Sequence, residues 1–235
     1  MSLIRNISFN LFLVIWAALY TIAALPILLM PLPVIIMFSS FAVKIVLLML
    51  KLICGITYEI RGKENIPDGS FVVASKHQSP LETFILMVLF KRTVFILKKE
   101  LLWLPFIGLH FFALKMIFID RKGGSSVIHN MTKTTKLRLK EGRTVVIFPE
   151  GTRVAIGQRR EYKSGIAFLY SSLSVPVLPI ALNTGLFWPR NIMSLQRNCG
   201  KVIVEILPPI YPGLTKKDFL TLLQNSIEER SILLT

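Results

Sequence analysis

Two long apolar runs separated by prolines open the chain, and a different texture follows them. Residues Ile7 to Leu25 hold 19 consecutive positions without a charge. As a helix that run measures about 28 Å, close to the roughly 30 Å hydrocarbon core of a bilayer. Pro26, Pro31 and Pro33 come next and predict the end of the first helix, because proline lacks an amide proton and crowds the preceding turn. The second run, Val34 to Ile53, carries Lys44 near its middle and Lys51 near its end. Two arrangements fit. Either both segments span the bilayer as a hairpin, with Arg5 and the Lys51–Arg61 flank on the cytoplasmic side; or one or both lie in the interface, since a mid-bilayer lysine is costly unless it snorkels. A cleaved signal peptide fits less well: the apolar stretch is too long, Arg5 alone marks its basic flank, and a second run follows at once.

From about Tyr58 short β-rich runs alternate with helical ones. Tyr58–Arg61, Phe71–Ser75, Val94–Leu97, Met116–Ile119, Thr144–Phe148, Val177–Leu182 and Lys201–Leu207 read as strands. Pro80–Phe90, Ser126–Lys140 and Ser164–Leu173 read as helices, and Thr215–Leu234 as a last one begun by a Thr215-x-x-Asp218 cap. This alternation predicts an α/β fold: a mostly parallel sheet covered by helices, preceded by a two-helix membrane segment. The expected division is 1–55 as a membrane-associated helical hairpin and 56–235 as one α/β domain. In such a sheet the loops that follow the strands open on one edge, and sites gather there.

Charge narrows the partners. Against 28 Lys and Arg stand 13 Asp and Glu, a formal surplus of +15, which favours an anionic surface or a polyanion. The apolar N-terminal segment favours anionic membrane lipid over nucleic acid, which is not expected as a partner because the cations are not interleaved with exposed aromatics. Cys54 and Cys199 give neither a disulfide framework nor a metal-ligand spacing. No metal is expected, and the α/β part is expected in a reducing compartment.

Three polar stretches follow predicted strands. The first is Lys76-His77-Gln78-Ser79-Pro80-Leu81-Glu82. Along a helix, His77 and Glu82 lie about 500° apart and share no face. They meet if His77 stays in the loop and Glu82 enters the first helical turn, where a carboxylate fixes the imidazole tautomer and stabilises the imidazolium. The competing reading is structural: Ser79-Pro80-Leu81-Glu82 is a capping box with proline at the first helical position. From the residues alone both stand. No Gly-x-Ser-x-Gly elbow accompanies the pair, so a base here points to direct attack by a substrate hydroxyl. The second stretch, Asp120-Arg121-Lys122-Gly123-Gly124, and the third, Pro149-Glu150-Gly151-Thr152-Arg153, are basic turns suited to a phosphate or merely solvated.

His77–Glu82, Phe118–Arg121, Phe148–Arg153 and the apolar Val177–Ala181 run resemble, in order and spacing, the four motifs of the glycerolipid acyltransferases, over roughly residues 58 to 210. The bacterial 1-acyl-glycerol-3-phosphate acyltransferases are the nearest likeness. The resemblance implies transfer of a fatty acyl group from acyl-CoA or acyl-carrier protein, as donor substrate and not cofactor, to a lysophospholipid acceptor. It implies His77 as general base oriented by Glu82, and Arg121, Glu150, Gly151, Thr152 and Arg153 as the acceptor's phosphate pocket. Residues near Pro179 are implied on the acyl-donor side. The implied location is the inner (cytoplasmic) membrane with the catalytic part facing the cytoplasm. One departure stands out: the family's first motif usually ends in Asp, and here it ends in Glu82. An acceptor other than 1-acyl-glycerol-3-phosphate, such as a different lysophospholipid or a lyso-ornithine lipid, and a non-catalytic module that binds anionic membrane, remain as alternatives.

Overall fold

The computed structural model describes residues 2–90, 92–120 and 124–235, with the backbone alone for Ser2 and Ser125. Two helices come first, α1 (Ser2–Ile27) and α2 (Leu32–Met49). The first runs on past Pro26 to Ile27, so the proline sits inside its last turn and does not end it earlier. Lacking an amide proton, the proline still forgoes the bond to the carbonyl four residues back, and the helix stops one residue later, within the proline cluster. Pro31 caps α2, and a single π-helical turn, Leu50–Cys54, extends it to Gly55 in the left-handed region. Leu3–Ile27 and Leu32–Cys54 are each long and apolar enough to cross a membrane. Little of their apolar surface is covered by the rest of the chain: Ile4, Leu11, Ile22, Met37 and Phe41 are all exposed.

After them strands and helices alternate, with α4 and α7 added to the elements the pattern predicts: β1 (Ile56–Arg61), β2 (Val72–Ser75), α3 (Leu81–Leu89), β3 (Val94–Lys98), α4 (Ile107–Ala113), β4 (Ile117–Ile119), α5 (Gly124–Lys140), β5 (Val145–Ile147), α6 (Gly165–Leu173), β6 (Val177–Leu182), α7 (Thr184–Phe187), β7 (Gly200–Ile206) and α8 (Lys216–Leu233). The strands form one sheet in the order β1-β7-β6-β2-β5-β3-β4. From β6 across to β4 every pairing is parallel; β7 runs antiparallel to β6, and β1 lies parallel to β7. The five parallel strands therefore end on one edge. β2, β5 and β6 are buried at every position, as continuous Val/Ile/Leu runs covered on both faces must be.

α1 is tied to the α/β body through a loop ahead of β7. Asn6 donates to the carbonyls of Leu195 and Arg197, and Asn10 to that of Met193. The Arg197 guanidinium, 3% exposed, lies 4.8 Å from the Phe9 ring centroid and 4.4 Å from that of Trp188. It donates to Ser194 O, Ile192 O and Asn10 Oδ1. Desolvation strengthens both the cation–π contacts and the charged hydrogen bonds. Arg197→Ala is expected to cost about 2–4 kcal/mol, lowering the melting temperature in detergent by roughly 5–10 °C. Lys201→Ala, which removes an exposed ion pair to Glu59, should shift stability by about 0.5 kcal/mol or less.

Candidate active site

The parallel strands bring the motif loops to one edge, and the His77 loop is fixed there from every direction. Its backbone N–H donates to Glu150 Oε2 at 2.8 Å, and its carbonyl accepts from Val154 N at 2.8 Å. The imidazole stacks on Phe148, 3.9 Å between centroids and 17° between planes. Nδ1 lies 2.7 Å from Glu82 Oε1. Because a carboxylate only accepts, Nδ1 carries the proton and Nε2 is the basic nitrogen. Among the described residues nothing bonds Nε2, and His77 lines the large cavity described below.

Glu82 makes the contacts of both arrangements that the sequence offered as alternatives. Its Oε1 accepts from the backbone amides of Gln78 and Ser79, at 2.8 and 2.7 Å, as well as facing His77. Ser79 Oγ in turn accepts from Leu81 N at 3.0 Å, which completes a reciprocal cap on α3. Oε2 accepts from Thr184 Oγ1 at 2.7 Å, and the carboxylate is wholly buried. Cap and dyad are thus one structure, with the cap holding the carboxylate where the imidazole needs it.

Glu150 is also wholly buried. Burial pushes its carboxyl up to about 7, against the lowering effects of Lys76 and the His77 amide. Lys76, immediately before the histidine, makes ion pairs with Glu150 and with Glu228 of α8, and Tyr162 donates to Glu228 at 3.1 Å. Burial, and then the two carboxylates, raise the Tyr162 hydroxyl's pKa. Lys76, Tyr162, Thr184 and Glu228 carried no motif signal beyond their types: Glu228 is 152 positions from its partner, and pairing over that separation is visible only in the fold. The tyrosine, one position before Lys163, offered no periodicity to mark it.

Gly151 adopts φ 72°, a conformation that favours glycine, as its amide closes a turn onto Phe148 O at 2.9 Å. Thr152 accepts from Arg190, and Arg153 donates to Arg190 O at 2.9 Å. Burial lowers the Arg153 pKa, with Glu82 opposing and Arg190 reinforcing the shift. The expectation for Arg121 falls outside the described residues, as do those for Lys122 and Gly123.

His77, Glu150, Gly151, Thr152 and Arg153 share one cavity of about 1,700 Å³. Its apolar lining comes from α1, α2, α3 and α4, including Trp16, Val43, Phe84 and Phe111. Four further cations that the sequence reading passed over also line it: Lys98, Arg160, Lys163 and Arg190. The fourth motif behaves differently from the expectation that residues near Pro179 shape a substrate wall. β6 lies between β2 and β7, and none of Val177–Leu182 lines the cavity. Its contribution comes one turn later, through Thr184 on Glu82 and Gly185 N on Gln78 Oε1. Among the described residues no cluster of three or more His, Cys, Asp or Glu is set to hold a metal ion.

Residues 57–183 match the family model described as Acyltransferase. A 1-acyl-sn-glycerol-3-phosphate acyltransferase of Pseudomonas aeruginosa is 44% identical over 140 residues, covering 60% of this chain and 54% of that protein. The alpha forms from Mus musculus and Homo sapiens are each 35% identical, over 74% of this chain and 62% of theirs. The chain thus spans between half and two thirds of the length of these curated relatives. Among solved structures, the 1-acyl-sn-glycerophosphate acyltransferase of Thermotoga maritima superposes with a TM-score of 0.73 over 98% of this chain and 96% of that one. At 23% identity, that likeness speaks for the fold. With more than half of its length matched by the family model, the chain belongs to the acyltransferase family.

Proposed function

We propose that this protein is a 1-acylglycerol-3-phosphate O-acyltransferase: it moves a fatty acyl group from a thioester donor to the free sn-2 hydroxyl of 1-acyl-glycerol-3-phosphate, giving phosphatidic acid. The observation that carries the reading is the His77–Glu82 pair, with Nδ1 held by a buried carboxylate and Nε2 facing a cavity that has both apolar and cationic walls. The names of the curated relatives support the choice of acceptor. The donor is acyl-CoA or acyl-carrier protein.

His77 Nε2 takes the proton of the acceptor hydroxyl as its oxygen attacks the thioester carbonyl carbon. The new C–O bond forms, the C–S bond breaks, and the departing thiolate recovers the proton from the imidazolium. Glu82 stabilises that imidazolium without itself changing protonation. No protein nucleophile enters. Arg153, with Arg190 beside it, offers guanidinium donors to the acceptor phosphate, and the Gly151 turn lets the backbone approach closely. Glu150 acts behind this pocket, since a carboxylate repels a phosphate; it holds the His77 amide and Lys76. The cavity's apolar walls suit acyl chains. α1 and α2 associate with the membrane, on our reading the inner membrane, with the α/β part on the cytoplasmic side. A purely membrane-binding role accounts for the Glu82 cap but leaves its bond to His77 Nδ1 without a purpose.

His77→Ala is expected to lower turnover by about 10²–10⁴ while leaving fold and membrane association intact, checked by steady-state rates on purified protein with labelled acyl-CoA. Near-normal turnover in the folded variant would falsify the base assignment. Glu82 and Ser79 separate the cap from the dyad. Ser79→Ala removes one capping bond and should cost about 1 kcal/mol of stability with the rate nearly preserved. Glu82→Gln keeps an oxygen for the amides of Gln78 and Ser79 and can donate its NH₂ to Thr184 Oγ1, but removes the negative charge beside the imidazole, so it should depress the rate far more than the melting temperature. Arg153→Lys is expected to raise the Michaelis constant for 1-acyl-glycerol-3-phosphate by about tenfold or more, with the donor's constant much less affected. Lys136→Ala and Lys140→Ala on α5 serve as charge controls; equal effects from them would point to general electrostatics in place of a phosphate pocket.

A further inference from the structure

Between Glu100 and Lys115 the chain carries 14 residues without a formal charge, Leu101 to Leu114, with His110 the only titratable side chain among them. A run of that length is too short to span a bilayer as a helix and belongs either in a core or in an interface. Burial decides between the two. In α4 only Gly108 and His110 are buried. Outward stand Trp103 at 81% exposure, Phe112 at 67%, Phe106 at 60%, Leu109 at 52%, Ile107 at 50% and Leu104 at 43%. Single exposed apolar side chains are ordinary, but six large ones within ten residues make a contiguous patch that needs an occupant.

The backbone holds this patch in place. Phe106 has φ 62°, a left-handed conformation that an aromatic residue rarely adopts. A Cβ at Gly108 would stand 2.0 Å from Leu102 O, so the turn between Leu102 and α4 closes only on glycine. The underside of α4 is anchored to the N-terminal helices: His110 Nε2 meets Tyr20 Oη of α1 at 2.5 Å and Ser39 Oγ of α2 at 2.9 Å. α1, α2 and α4 also wall the same cavity. The patch is therefore continuous with the exposed apolar faces of α1 and α2. Exposed Lys98, Lys99 and Lys115 flank it.

We infer that residues 101–114 form a separate membrane-inserting element, seated in the interface of an anionic bilayer beside α1 and α2. The inference rests on the membrane association proposed above. Trp103 suits the headgroup boundary, where an apolar ring and a wet N–H are both satisfied. The flanking lysines meet anionic headgroups, whose negative surface potential attracts cations. A symmetric contact with a second copy would instead bring this rim of three lysines and one exposed carboxylate, Glu100, against an identical net-positive rim. Because α4 shares the cavity wall, insertion places the cavity's mouth at the lipid surface.

The test uses the full chain with vesicles of phosphatidylglycerol and phosphatidylethanolamine, some brominated in the upper acyl chain. The Trp103 signal is the difference between wild type and Trp103→Phe, which leaves Trp16 and Trp188 in place. With vesicles, that signal should be quenched by bromine and shielded from aqueous acrylamide. Trp103→Glu combined with Phe112→Glu should weaken vesicle partition by about tenfold or more. Neither residue lines the cavity, so turnover on acceptor in detergent micelles should persist. If wild type floats with vesicles while Trp103 stays open to acrylamide and the double variant floats equally, the inference is wrong and the membrane reading survives. Wild type that fails to float at all removes both. A dimer that the double variant abolishes, with partition unchanged, would make the patch a self-association surface and overturn the proposal.

Discussion

A single ammonium group, Lys76 Nζ, lies between two buried carboxylates, and the geometry of the site depends on it. Glu150 reaches it from the loop after β5, and Glu228 from α8. Removing one partner from a buried ion pair typically costs about 3–5 kcal/mol, because the charge left behind has no water to turn to. Such a cluster tolerates little displacement. It is joined directly to His77, whose amide bonds the other oxygen of Glu150. The helix that supplies Glu228 lies beyond the matched family segment, yet it helps to set where the His77 loop can sit. Burial raises the Glu150 carboxyl to about 7 against the lowering effect of Lys76, and the neighbouring Glu228 adds to the rise. The Tyr162 hydroxyl satisfies Glu228 from the other side.

Much of this architecture was legible in the pattern of the chain, for identifiable reasons. The strands from Val72 to Ile206 and the helices α3, α5 and α6 begin and end within one or two residues of their expected places, whereas the short helices α4 and α7 were not expected. Buried parallel strands advertise themselves as unbroken Val and Ile runs, and the Thr215 cap with Asp218 N is present as read. What the sequence left undecided at Glu82 was a false choice. Capping box and catalytic dyad require the same carboxylate at the third helical position, so the same four letters encode both. Thr184, Lys76 and Glu228 were invisible because their partners lie far along the chain. The apolar fourth motif misled in a related way: Val177–Leu182 reads as a surface for an acyl group, but its place in the sheet makes it core. The proline cluster ends the first helix as expected, with α1 stopping at Ile27 and α2 beginning at Leu32.

The substitution of Glu for the usual Asp in the first motif has a physical explanation in this fold. A carboxylate at the third helical position must reach back to the amide of Ser79 and also forward to Nδ1 of His77, five residues earlier in the chain. The extra methylene lengthens the side chain by about 1.5 Å. That reach lets one oxygen serve Gln78, Ser79 and His77 together, and leaves the other for Thr184. Four contacts satisfy nearly all the lone pairs of a wholly buried carboxylate, which is the condition for keeping a charge in a dry site. An aspartate on the same backbone would reach less far and could not set its carboxylate at the position that Glu82 occupies. Thr184 and the loop it belongs to are therefore part of what makes glutamate workable: without the hydroxyl on Oε2, the longer side chain would leave one buried oxygen without a partner. The identity of the first motif and the position of the turn after β6 are in this sense one design.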